Sequence, residues 1–406
     1  MGSSKNCILS VCLVLVALAI TQINGQGSLT AEHGVNSLAA SLFKPVAEDA
    51  SGNIWVSPTG AFIALGMLEH GAGGKTKAQF KKVLHLPSSE RSGAAGYESL
   101  IKNLKDVHAN EIKFGSKLFT ASNAPIKDSY KKMLKKHFDA ETQPLNFNNA
   151  AASANAINAW VQSVAKDHPG HLANLIAPSD LGPETKMVLV NPIYFKGYWM
   201  NGFNVNNTRQ RPFKLNNSKE KNVPTMSKTS LLKYGEMPNG KATYVVLPLR
   251  ANELSMVVFL PKAVDGLAEL EKELPKASIS SYINAAQDRM VAVQLPRFHF
   301  HNKINLKKPL MSLGLTDAFN QNANFSGISN QKLHVSRIVQ NTHVEVDEEG
   351  GDIDVGTGDI TSRIALPPAV NFDVNHPFHV VIVKNNKSGS NRSSHVTLYS
   401  GHVVNP

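Results

Sequence analysis

Three observations predict an α+β fold built as one large domain. Apolar residues in the first third recur at helical spacing, β-branched runs of strand length crowd the middle and end, and no repeat or low-complexity linker divides residues 26–406. From Leu29 to Val46, the residues Val35, Leu38, Leu42 and Phe43 share one stripe, which predicts a helix with one buried side. The next helix is predicted to start at Ser57-Pro58, a capping residue followed by the proline favoured in a first turn. A third, over residues 150–167, puts Ala154, Ile157, Trp160, Val161 and Val164 on one face. Beyond Lys186 the runs "KMVLVNPIYF", "ATYVVLPL", "LSMVVFLP", "MVAVQLPRFHF", "HVEVDEE", "FHVVIVK" and "HVTLYSG" read as strands. Met187 to Val190 and Ser255 to Leu260 are apolar on both faces, so they are expected inside covered sheets.

Residues 1–25 stand apart. Lys5 is their single charge, Ile8 to Ile20 form an apolar run, and "TQING" closes on a small residue, the pattern of a secretory signal peptide cleaved after Gly25. The run is too short for a membrane helix, so the chain is expected to be secreted and not membrane-bound. Both of its cysteines, Cys7 and Cys12, fall in this segment. The remainder therefore holds together by its core, without a disulfide or a cysteine-based metal site. Sequons at Asn206, Asn216, Asn324, Asn386 and Asn391 fit a secreted glycoprotein.

Without Lys5 the chain has 41 basic and 31 acidic residues, a net charge of +10. The densest clusters are Lys75 to Lys82 and Lys127 to Phe138. Neither interleaves aromatics as stacking on bases requires, so nucleic acid is not an expected partner. Lys131, Lys132, Lys135 and Lys136 are read as a solvated helix face, with polyanion binding as the alternative. Enzyme signatures are missing: no Gly-x-Ser-x-Gly elbow, phosphate loop or His-Glu-x-x-His occurs. His299 and His301 share a strand face but two ligands do not define a metal site. Glu345, Asp347, Glu348 and Glu349 read as the acidic edge of a strand. A monomer without metal or cofactor is expected.

Several longer motifs occur together. "NIWVSPTGAFIALGMLEHGAGGKT" carries Asn53, Ser57, Pro58, Met67, Leu68, Gly71 and Thr76; "INAWV" spans Ile157 to Val161; "LVNPIYFKGYW" spans Leu189 to Trp199. "LPRF", "LGLTDAFNQNANFSGIS", "NHPFHVVIV" and "LYSGHVVNP" follow in order. Together, from about Leu29 to Pro406, they resemble the serpin superfamily. The resemblance implies three β-sheets, about nine helices and a reactive-centre loop near residues 348–368. In that family a protease cuts the loop, which then inserts into the largest sheet as a new strand and carries the acyl-linked enzyme with it. Spacing from Glu348 implies a scissile bond at Ile364-Ala365, or one residue earlier at Arg363-Ile364. Arg363 suits trypsin-like enzymes; Ile364 with Ala365 suits elastase-like, subtilisin-like or papain-like ones. The expected target is thus a serine or papain-like cysteine protease.

The chain departs from the family at the hinge, Glu348, Glu349, Gly350, Gly351, Asp352, Ile353, Asp354 and Val355. Inhibitory members have small residues there. Alternation aims Gly351, Ile353, Val355 and Thr357 inward, which is right for insertion, but Ile353 and Val355 risk overpacking by about 1–3 kcal/mol. In "LVNPIYFKGYW" Pro192 stands where the family has alanine; in the region through which the sheet opens, Ser57 and Asn191 match the family, Gly60 replaces a serine and Gln340 replaces a histidine. Trp199, Arg297 and Glu348 match the residues at the top of the opening. A serpin-fold carrier, chaperone or storage protein that does not inhibit is the rival expectation.

Overall fold

The computed structural model describes residues 31–49, 51–86, 93–167, 172, 174–349, 368–386 and 394–406. Residues 1–25, the hinge from Gly350 to Val355, the bond-flanking Arg363, Ile364 and Ala365, and Asn391 lie outside them.

Nine α-helices occur among the described residues, and most of them precede the bulk of the strands. The helix over residues 31–49 buries Val35, Leu38, Leu42 and Phe43, as its stripe requires. Helix Pro58–Gly71 is the centre of the molecule, with every residue from Pro58 to Glu69 buried. Its start is set by the side chain of Ser57, which accepts the Gly60 amide, and by Pro58 in the first turn. Helix Ala150–Val164 buries Ala154, Ile157 and Val161 but leaves Trp160 and Val164 half-buried, because its contact with the sheet is narrower than its apolar face.

A six-stranded sheet has the order Phe298–Asn305, Val335–Val346, Met187–Lys196, Lys117–Ala121, Glu141–Leu145, with Glu111–Phe114 also pairing to Met187–Lys196. Strand Met187–Lys196 is buried on both faces. Leu189, Ile193 and Phe195 join the main core, whereas Val188, Val190 and Tyr194 pack with Ile157 and Val161 of the covering helix.

The second sheet has nine strands in the order Ile54–Val56, Ser394–Val403, Phe378–Asn386, Leu254–Pro261, Ala242–Pro248, Lys219–Glu236, Gln287–Pro296, Val370–Asp373, with Arg209–Asn216 beside Lys219–Glu236. The 18-residue strand Lys219–Glu236 pairs along successive stretches with Arg209–Asn216, Gln287–Pro296 and Ala242–Pro248. It thereby fuses two of the three expected sheets into one hydrogen-bonded assembly. The sheet that leads into the hinge is consequently the smaller of the two by strand number, not the largest. Strand Val335–Val346 lies between two neighbours, and Glu345, Asp347, Glu348 and Glu349 lie at or just beyond its end.

Candidate functional site

Two clusters, one at the middle and one at the end of the same pair of strands, make up the site. Val335–Val346 and Met187–Lys196 run parallel, in continuous register from Arg337/Val188 to Glu345/Lys196 after an irregularity between Val335 and Arg337. Any further strand between them must part this ladder.

At its middle Gln340 stands opposite Asn191, above the start of helix Pro58–Gly71. The Gln340 side chain accepts the Ser57 amide at 2.7 Å and donates to Ser57 O and to Asn191 Oδ1, each at 3.0 Å. Asn191 Nδ2 in turn donates to Gly115 O at 2.8 Å and Ser116 Oγ at 3.1 Å. Ser57 Oγ donates to Leu398 O at 2.7 Å and accepts the Gly60 amide. Gln340, Asn191 and Ser57 are 0%, 2% and 3% exposed, so each of these bonds replaces one that water cannot supply. A Cβ at Gly60 would overlap Asn191 Oδ1 and Ile193 Cδ1, which accounts for glycine where the family carries serine. Gly60 and Gln340 are thus matched to one another through Asn191.

At the strand end, Arg297 meets Glu348 Oε1 through Nε at 2.8 Å and through its terminal nitrogen at 2.6 Å, and the Thr208 hydroxyl donates to the same oxygen. Burial pushes the Glu348 carboxyl up, but the bonds from Arg297 and Thr208 outweigh it and hold it below the usual range. Lys196 pairs with Glu349 at 2.8 Å. Burial favours the neutral amine of Lys196, yet the bond to Glu349 prevails and raises its pKa. The main chain is gripped as well. Trp199 N donates to Glu349 O at 3.0 Å, Phe203 N to Glu348 O at 3.1 Å, and the Trp199 indole to Asp347 O at 2.7 Å. These bonds lie beyond the last pair of the ladder, Glu345/Lys196. The strand end is pinned at the point where the expected hinge begins.

The structure brings together Ser57, Gly60, Asn191 and Gln340 in the first cluster and Trp199, Arg297, Glu348 and Glu349 in the second. Thr208, Phe203, Lys196 and Ser116 complete them. Lys196 stands inside the "YFKGYW" motif, but nothing in the sequence marks the others. Lys131, Lys132, Lys135 and Lys136 are exposed on helix Asp128–Phe138, where Lys131 pairs with Asp128 and Lys135 with Asp139 and Glu141. Asn206, Asn216 and Asn324 are exposed, whereas the half-buried Asn386 amide nitrogen donates to Glu32 at 2.8 Å. His301 bonds to Asn341, and no group of three or more potential metal ligands converges among the described residues.

The comparisons with known proteins converge on one family. Bos taurus Serpin B10 is 33% identical over 384 residues, covering 87% of this chain and 96% of its own. Mus musculus neuroserpin is 32% identical over 365 residues, covering 87% and 86%. The crystal structure of Manduca sexta serine protease inhibitor (Serpin)-12 superposes with a TM-score of 0.80 at 28% identity, covering 92% of this chain and 98% of that one. The family model described as serpin (serine protease inhibitor) matches residues 33–406. With the pinned strand end and the polar cluster beneath it in place, the chain belongs to the serpin family.

Proposed function

We propose that the chain is a secreted protease inhibitor of the serpin type. It presents residues 348–368 as bait, with the scissile bond at Ile364-Ala365 or Arg363-Ile364, to a serine or papain-like cysteine protease. The observation that carries this reading is the anchorage of Glu348 and Glu349. The ion pairs to Arg297 and Lys196 and the amides of Trp199 and Phe203 fix the pivot of the hinge beside a ladder that an inserted strand would open. The signal-like residues 1–25 and the exposed sequons Asn206, Asn216 and Asn324 support secretion as a glycoprotein.

Hinge composition favours a second reading, a serpin-fold protein that is cut without trapping its protease. Trapping is a race between insertion and hydrolysis of the acyl-enzyme, and each ~1.4 kcal/mol on the insertion barrier is tenfold in rate. Ile353, Val355 and the glycines of the hinge slow the first steps of that race. The deciding experiment incubates the mature protein with a trypsin-like, an elastase-like and a papain-like protease, follows residual activity and sequences the cut loop. Weak inhibition of the first, cleavage or inhibition by the second and measurable inhibition of the third are expected. Cleavage by all three with no loss of protease activity would make the second reading correct.

A further inference from the structure

A second side-chain contact spans the seam between Val335–Val346 and Met187–Lys196, on the face away from the Gln340–Asn191 bond. His343 is the register partner of Tyr194, and their rings stack 5.5 Å apart and 14° from parallel. Because His343 follows Gln340 by three positions, the two side chains leave opposite faces of the strand. Tyr194 accordingly packs with Ile157 and Val161 of helix Ala150–Val164 and is 1% exposed, and His343 beside it is 9% exposed. Offset stacking of two rings holds at centroid separations of about 4.5–7 Å and adds to the value of their burial.

Neighbouring strands lie about 4.8 Å apart, so a strand inserted between these two moves them to roughly 9.6 Å. The newcomer's own side chain then stands between the two rings, and they lose contact. We infer that the Tyr194–His343 stack is a latch on the seam: it must break for a loop to insert, and it thereby sets part of the insertion rate. Both are positioning residues that act through the strands carrying them. Their effect on inhibition rests on the inhibitory reading; their effect on opening of the ladder does not. A slower insertion also narrows the choice of partner, since the protease caught must be one whose acyl-enzyme outlasts the delay.

The test replaces His343 and follows opening of the seam directly. Pro192 O turns away from the seam to accept the Gly115 amide at 3.2 Å, so the amides of Ile193 and Phe195 point into it. His343→Leu is expected to speed hydrogen exchange at these two amides about two- to tenfold, and to speed by a similar factor the uptake of a synthetic peptide of residues 350–363 by the uncut protein. The number of inhibitor molecules consumed per protease inactivated should fall as well. His343→Phe keeps a ring against Tyr194 and should stay near wild type in all three measurements. In Tyr194→Leu the stack is already gone, so adding His343→Leu should bring no further acceleration. Unchanged rates in His343→Leu, or the same gain in His343→Phe, would overturn the inference. So would equal acceleration at the amides of Val257 and Val258 in the other sheet, which would mean general loss of stability. His343→Gln, which removes the ring and keeps a polar side chain, decides the matter if the leucine variant does not fold. Faster exchange and peptide uptake in a protein that inhibits no protease would refute the proposed function alone.

Discussion

Replacing Gln340 by methionine removes its hydrogen bonds while keeping the length of the side chain. Two buried groups then lose their partner. Among the described residues the Ser57 amide has no other acceptor and Asn191 Oδ1 no other donor, whereas Ser57 O keeps the Ala61 amide at 2.9 Å and Asn191 Nδ2 keeps Gly115 and Ser116. Each unsatisfied group costs about 1–3 kcal/mol, so the loss is about 2–6 kcal/mol. In a chain of this length each kcal/mol corresponds to about 1–1.5 °C, giving a fall in Tm of about 2–9 °C. Because Gln340 and Asn191 face each other on the ladder an inserted strand would open, loss of the native form on mild heating should also accelerate. The assay is thermal unfolding of Gln340→Met, Asn191→Ala and the double variant. In the double variant the Asn191 acceptor is already gone, so the two effects should fall short of additivity by about 1–3 kcal/mol. A fall under about 1 °C, or strict additivity, would show that the Gln340 bonds do not hold the centre of the sheet.

Other expectations concern the strand end, the hinge and the protein's response to pH. Arg297→Met leaves Glu348, 5% exposed, without its cation; since Arg297 is 40% exposed, we expect a loss of about 1–3 kcal/mol in urea unfolding, below the cost of a fully buried pair. Changing Ile353 and Val355 together to alanine should lower the number of inhibitor molecules consumed per protease inactivated; an unchanged ratio would assign the slow hinge to its glycines. His395 is buried against Ser280, and burial brings its pKa from 6.5 to about 4. A depressed histidine pKa means that the unfolded chain takes up the proton first, so stability falls as pH drops from about 6.5 towards 4, by up to about 3 kcal/mol. His395→Gln should flatten that part of the urea-midpoint profile. Heparin should leave the inhibition rate unchanged, because Lys131 and Lys135 already face carboxylates on or beside their own helix; a several-fold, salt-sensitive acceleration would reverse this.

Much of this architecture is legible in the sequence where a local rule applies. The Ser57-Pro58 helix start follows from capping, and the two-faced burial of Met187–Lys196 follows from an apolar run too short for a helix. The stripe rule overstates Trp160 and Val164, since periodicity reports an apolar face and not the width of the surface that meets it. Lys219–Glu236 is harder to read, because lysines and a proline interrupt it and it changes partners along its length. The site divides the same way. Glu348, Arg297 and Trp199 are recognisable through family motifs, and the exchange of histidine for Gln340 is visible beside them. The reason for Gly60 is not, because it depends on where Asn191 points. Thr208 and Phe203 are ordinary residue types brought to the strand end from distant segments. Only the fold places them there.

The C-terminal part of the chain has a consequence for what a protease can do to this molecule. Residues 368–406 supply three strands of the nine-stranded sheet, and two of them, Phe378–Asn386 and Ser394–Val403, are paired on both sides within it. A cut anywhere between residues 350 and 367 therefore severs the covalent chain without severing the sheet. The product is a two-chain particle that migrates as one body until denatured. Its unfolding becomes a dissociation, and its midpoint acquires a dependence on protein concentration that the uncut chain lacks.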